Sequence, residues 1–94
     1  MKRNVTIPSF LFDEPFKGMS AYAKLLYGLL LLESAEHSKT DDKGESYVEY
    51  SRKKIKNALN VANDKARDIL CELEAAALIK REAITGKNAR IYIK

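Results

Sequence analysis

Apolar residues recur along this chain at two spacings, and the switches between them mark out its elements. Val5 and Ile7 alternate ahead of Pro8, which predicts a short strand over residues 4–7, ended or held at an edge by the proline. Phe10, Phe12 and Phe16 follow in a connection too apolar to be left in solvent. Ser20 reads as the N-cap of a helix over residues 20–36. Tyr22, Ala23, Leu25, Leu26, Tyr27 and residues 29–32 make that helix apolar nearly all round, so it is buried on several sides. It is a central strut, or a strut that also offers a dimer face.

Polar, turn-forming residues fill 37–46, and alternation returns in YVEY at 47–50, a short strand. Ser51 caps a second helix whose apolar points are Ile55, Ala58 and Leu59. A tight turn at 60–62 leads to a third helix with Ala66, Ile69, Leu70 and Leu73 at helical spacing. Two strands, IKREAI and ARIYIK, then flank TGKN, where Gly86 and Asn88 tolerate the positive φ of a hairpin turn. Two helices joined by about three residues form a helix-turn-helix, and a hairpin after the second makes it winged. The predicted fold is therefore mainly α within an α+β class. It is a winged helix-turn-helix of three helices, a short N-terminal strand and a C-terminal hairpin wing, with all of 1–94 as one domain.

Charge sharpens the picture. The formal net charge of the 94 residues is +4, but residues 1–50 carry 6 basic and 8 acidic side chains, and residues 51–94 carry 11 and 5. The positive field belongs to the helix-turn-helix half, which suits a polyanionic partner. The apolar run LLYGLLLL is far too short to span a bilayer, and MKRNVTIPSF lacks the apolar core of a signal peptide. One cysteine excludes an intrachain disulfide. A cytoplasmic protein without a membrane partner is the simplest reading.

Catalytic chemistry finds no footing. The only histidine, His37, sits among polar residues, and one His with one Cys cannot make a zinc site. The four glycines are scattered, and Asp41 and Asp42 begin no calcium-ligand series. Cys71, on the outer face of the third helix, has no base near it in sequence. No enzyme, metal or cofactor is expected.

The chemistry on offer is nucleic-acid binding. The second helix of a helix-turn-helix enters the major groove with its N-terminal residues. Here these are Asn63, Lys65 and Arg67, types that read adenine or guanine edges. Arg52, Lys53 and Lys54 crowd the first turn of the second helix, where the helix dipole disfavours cations and a phosphate would be welcome. No acidic residue in that turn offsets them. Exchanging Lys53 or Lys54 for Glu is accordingly expected to raise thermal stability slightly. Lys87, Asn88 and Arg90 on the wing and Lys2 and Arg3 on an N-terminal arm suit phosphates or the minor groove. Against this stand Asp64, Asp68, Glu72 and Glu74, which make the third helix slightly acidic. Asp64 is explained by the helix dipole; Asp68 can orient Arg67 or a neighbour, or accept from cytosine N4, but would repel phosphates if it faced them. Tyr22 and Tyr27 read as core, while Tyr47, Tyr50 and Tyr92 lie near strand edges where a phenol can meet phosphate.

Three segments together carry a family resemblance: IPSFLFDEPFKGMSAYAKLLYGLLL, YSRKKIKNALNVANDKARDILCELEAAALIKR and the closing hairpin. The chain resembles the N-terminal winged-helix domain of the plasmid replication initiator A family of Gram-positive bacteria. The S-x-x-A-K-L-L-Y stretch is the more specific part; L-x-x-L-E-x-A-x-L-I is general to winged helices. The resemblance covers nearly the whole chain and implies a domain that binds repeated double-stranded DNA sites at a plasmid origin, often as a homodimer. It also implies a further C-terminal region that recruits host replication proteins, so the chain is expected to be the N-terminal part of a longer initiator. By position, the recognition helix falls on 63–73 and the wing on 84–90. Two departures stand out. Ala77 occupies a position where the family usually has Gly, so the third helix is expected to end differently. Ala62 replaces the usual Ser or Thr before that helix, leaving Asn60 or Asn63 to cap it. A transcriptional regulator of the same fold, and a winged-helix protein-interaction module docking through the acidic third helix, are the alternatives.

Overall fold

The computed structural model describes residues 7–83 and 89–94. The strand expected at 4–7 lies, apart from Ile7, outside these residues, as do Lys2, Arg3, Lys87 and Asn88. The first described element is a 3-10 turn at Ser9–Phe12, which the sequence pattern did not separate from its surroundings. It buries Leu11 completely.

Helix α1 spans Ala21–His37 and starts where the pattern put it, with Ser20 Oγ accepting from the Ala23 N–H at 3.1 Å. Residues 37–46 are not wholly a loop. Strand β1, Lys39–Thr40, pairs antiparallel with β2, Ser46–Glu49, around a tight turn. Asp41 builds that turn: its Oδ1 accepts from the N–H groups of Lys43 and Glu45, both at 2.9 Å, and Gly44 takes the positive φ of 83°. An Asx side chain closing its own turn needs no apolar alternation, which is why the pattern was silent.

Helix α2, Arg52–Leu59, is capped by Ser51, whose Oγ accepts from the Lys54 N–H at 3.1 Å. Asn60 ends it in the left-handed region (φ 54°), and Val61 N–H returns to the Lys56 carbonyl at 3.2 Å. Asn tolerates that conformation better than other non-Gly residues. Asn60 thus closes α2 rather than opening the next helix. Helix α3, Asn63–Ala75, begins at Ala62 with no side-chain cap, so neither Asn supplies the one expected.

The other departure resolves differently. Ala77 adopts φ 60°, with its N–H on the Glu74 carbonyl (2.9 Å) and the Leu78 N–H on that of Leu73 (3.1 Å). These two bonds form a Schellman ending, and Leu73 and Leu78 are both buried beside it. The helix therefore ends as a Gly would end it, although Ala there costs on the order of 1 kcal/mol. Burial of Leu78 and continuation into the sheet hold the strained residue in place.

Strands β3, Ile79–Glu82, and β4, Arg90–Ile93, complete an antiparallel sheet of order β1-β2-β4-β3. Val48 and Arg81 both face Ile91 in register. The core lies where this sheet meets the helices: Leu26 and Leu30 of α1, Ile55 of α2, Ile69 and Leu73 of α3, Val48 and Ile91 are all buried. Truncating one such leucine to Ala would cost about 2–5 kcal/mol. Helix α3 packs on α1 and α2 and leads directly into the wing, so its inner face is committed and its outer face is presented.

Candidate nucleic-acid interface

The outer face of α3 follows from its spacing. With Ala66, Ile69, Leu70 and Leu73 buried, positions 64, 68 and 71 point away from the core, and 65 and 67 lie on its two flanks. Asn63, Lys65, Arg67 and Cys71 are all exposed. The cations on this helix are held by light contacts. Lys65 Nζ stands 5.4 Å above the Tyr22 ring, and Arg67 meets Asp68 at 3.7 Å with both side chains more than half exposed. An ion pair so exposed is worth little and yields readily to a stronger anion.

Two of the four acids on α3 have partners elsewhere in the fold, whereas Asp64 and Asp68 are exposed. Glu74 receives Arg81 of β3, with Nε at 2.8 Å and Nη2 at 2.6 Å. Glu72 receives the backbone N–H and hydroxyl of Ser20 at 2.7 and 2.8 Å. Asp64 sits in the first helical turn, where its charge suits the dipole. Their sequence neighbours gave no sign of this, since Glu72 and Ser20 lie 52 positions apart.

At the start of α2, Arg52 and Lys53 are exposed as expected, and the structure adds a partner for Lys54. Its Nζ lies 3.1 Å from Glu33 of α1 and 4.7 Å over the Tyr50 ring. Glu33 is only 7 % exposed, so this cation neutralises a nearly buried carboxylate. The offsetting acid missing from the turn thus comes from another helix. Arg52 lines a cleft of about 320 Å³ together with Arg81, Leu70, Ala89 and Ile91. The cleft joins the start of α2, the middle of α3 and the root of the wing, bringing together elements that the sequence could only align in order. Arg81 was not singled out from the sequence, and its alternation within IKRE offered no distinguishing signal.

Arg90 begins β4, half-buried, and stacks 4.7 Å from the Tyr47 ring. Nearby, the Tyr92 hydroxyl donates to Asp41 Oδ2 at 2.9 Å. Backbone hydrogen bonding from Glu45, then this phenol and the Lys43 N–H, hold the Asp41 carboxyl below its ordinary range. Burial is the main cause that raises the Tyr92 phenol. Tyr50 and Tyr92 are buried, and Tyr27 is core as expected. Tyr22 is not: it is 41 % exposed beside Lys65, on the side of α1 it shares with exposed Leu25 and away from buried Ala23.

Among the described residues, three helices, the last with an exposed outer face, and a four-stranded antiparallel sheet define a winged-helix domain of the initiator type. The chain belongs to the family "Replication initiator protein A (RepA) N-terminus", whose sequence model matches residues 3–94. Three solved structures share the fold at 26 % identity and cover 99 % of this chain. They are an "N-Terminal domain of DNA binding protein" (TM-score 0.81, 75 % of that chain), a "Structure of Rep-DNA complex" (0.79, 75 %) and a "Structure of MDR initiator" (0.80, 77 %). No curated protein matches. Among the described residues, no helix is long and apolar enough to cross a membrane.

Proposed function

We propose that this domain binds double-stranded DNA sequence-specifically at a plasmid replication origin, as a homodimer and without catalysing a reaction. The observation that carries the reading is the contrast along α3: Lys65 and Arg67 are exposed at the leading end, in company with Asp64 and Asp68, while Glu72 and Glu74 further along are engaged by Ser20 and Arg81. Asn63, Lys65 and Arg67 contact base edges in the major groove. Arg52 and Lys53 contact phosphate beside the cleft, and Arg90, with Lys87 and Asn88, serves the wing. Lys2 and Arg3 extend the contact as an arm. Host replication proteins are engaged by a region outside this chain.

The test is selection of duplexes from a random pool, followed by binding to direct repeats within or beside the coding region. Selection of those repeats, with affinity falling as salt rises, supports the reading. Recovery of no preferred sequence contradicts it. Binding instead at a promoter operator would make the protein a transcriptional regulator using the same surface.

The dimer rests on apolar side chains at the surface. Phe12 is 55 % exposed, and Phe10, Tyr22 and Leu25 are exposed around the first turns of α1. Sedimentation equilibrium at micromolar concentration is expected to show dimer; monomer alone would contradict it.

A further inference from the structure

The first turn of α1 holds no acidic residue. A capping box would place Glu or Gln at position 23 to reach back to the N-cap N–H, but Ala stands there. The missing carboxylate arrives from α3. Glu72 Oε2 accepts from the Ser20 N–H at 2.7 Å, and Oε1 accepts from the Ser20 hydroxyl at 2.8 Å. The same hydroxyl oxygen accepts from the Ala23 N–H at 3.1 Å. One carboxylate thus completes the box from 52 positions away. Both of its bonds are short and charge-assisted, the stronger class of hydrogen bond.

The placement on α3 adds meaning. Positions 65, 69 and 72 follow one another along one side of the helix. Ile69 is buried there, Lys65 lies against Tyr22, and Glu72 holds Ser20. Tyr22 and Ser20 both belong to the start of α1. That start therefore holds α3 by hydrogen bonds at Glu72 and touches it lightly at Lys65, about 10 Å away along its axis. The buried face of α3 fixes its position, and the Glu72 hydrogen bonds add a second, directional restraint on its axis.

We propose that Glu72 is a positioning residue for DNA reading: its clamp on Ser20 sets the angle at which α3 presents Lys65 and Arg67 to base edges. This rests on the base-reading role of α3 given above. Glu72 itself touches no base. A carboxylate that merely sat on a DNA-facing helix would act with the opposite sign, by repelling phosphate.

The variants Glu72→Asp, Glu72→Gln and Glu72→Ala separate these two roles. Each is measured against a duplex selected by the wild-type protein and against its scrambled counterpart, with a thermal melt to confirm folding. Asp keeps the charge but withdraws the carboxylate by one methylene from Ser20. Gln loses the charge but can still accept from the Ser20 N–H and donate to its oxygen. The clamp predicts that Asp and Ala lose about tenfold on the selected duplex, the scale of one base contact. They should change little on the scrambled duplex, and Gln should keep the discrimination. Should Ala fail to fold, Asp and Gln carry the test. Tighter binding of both duplexes by Gln and Ala, with Asp like wild type, would overturn the proposal in favour of simple repulsion. Equal loss on both duplexes would overturn it too. A wild-type protein that does not discriminate would bring down the base-reading role instead, and is seen before any variant is made.

Discussion

The starts of α2 and α3 lie only eleven positions apart and are built in opposite ways. Helix α2 is fastened by its own Ser51 but carries Arg52, Lys53 and Lys54 against the positive end of its dipole. Helix α3 has no side-chain cap at Ala62, yet Asp64 sits in its first turn, where charge and dipole agree. The first is mechanically secure and electrostatically unsettled. The second is electrostatically settled, and in place of a cap of its own it is tied to Ser20 of α1 through Glu72. The difference matches two tasks. A crowded cationic turn is relieved by an incoming phosphate, whereas a reading helix needs exposed side chains on a steady axis.

The comparison breaks first, and hardest, at α3. Lys65→Ala or Arg67→Ala should each weaken a selected duplex by about 1–3 kcal/mol while changing a scrambled duplex much less. Competition binding checks this, and equal losses would move that residue to phosphate contact.

At α2 the two lysines should part company. Lys54→Glu sets a like charge beside nearly buried Glu33 and should cost about 1 kcal/mol of stability, tempered by the half-exposed lysine. Lys53→Glu should raise stability by about 0.3–1 kcal/mol through the dipole. Each lost phosphate contact should also flatten the slope of log affinity against log salt by about 0.9. Thermal melts and salt titrations read both effects. A stabilising Lys54→Glu would return that residue to the solvated surface implied by its sequence neighbours alone.

Capping α3 by Ala62→Ser should make it resemble α2 and add about 1 kcal/mol. Denaturant unfolding reads the gain, and no gain would mean that its first-turn N–H groups already have partners.

The smallest effect lies away from both helices. The folded Asp41 carboxyl is held below its ordinary value, so its contribution is present above about pH 3.8 and is lost as pH falls through the folded value. Asp41→Asn should flatten stability against pH on that acid limb only, and an unchanged limb would discount the turn's contribution.

Much of what depends on neighbours in sequence was legible, though the Asp41 turn and the uncapped start of α3 were not. Ser20 and Ser51 announce their helices by type and place, and Ile55, Ile69 and Leu73 announce the buried faces by spacing. What was hidden depends on residues far apart. Glu33 meets Lys54 across 21 positions and Glu72 meets Ser20 across 52. Read locally, the three cations on α2 looked unopposed and the acids on α3 looked hostile to DNA. Folding answers each in part: Lys54 gains Glu33, and Glu72 and Glu74 gain Ser20 and Arg81, while Arg52, Lys53, Asp64 and Asp68 stay exposed. Ala77 teaches the same lesson about the backbone, because its own preference is overridden by the buried Leu78 beside it. The short strand at Lys39–Thr40 escaped for another reason: two exposed residues show no alternation.

The central claim, that the outer face of α3 lies against DNA, can be put to the chain's one cysteine. Cys71 is exposed on that face, with Arg81 Nη2 3.7 Å from its Sγ. Its rate of alkylation should be measured for the protein alone, with a saturating selected duplex and with the scrambled duplex at the same concentration. The selected duplex should slow the reaction severalfold or more, and the scrambled one should slow it far less. An unchanged rate in a complex shown to be saturated would put the DNA on another face and contradict the account.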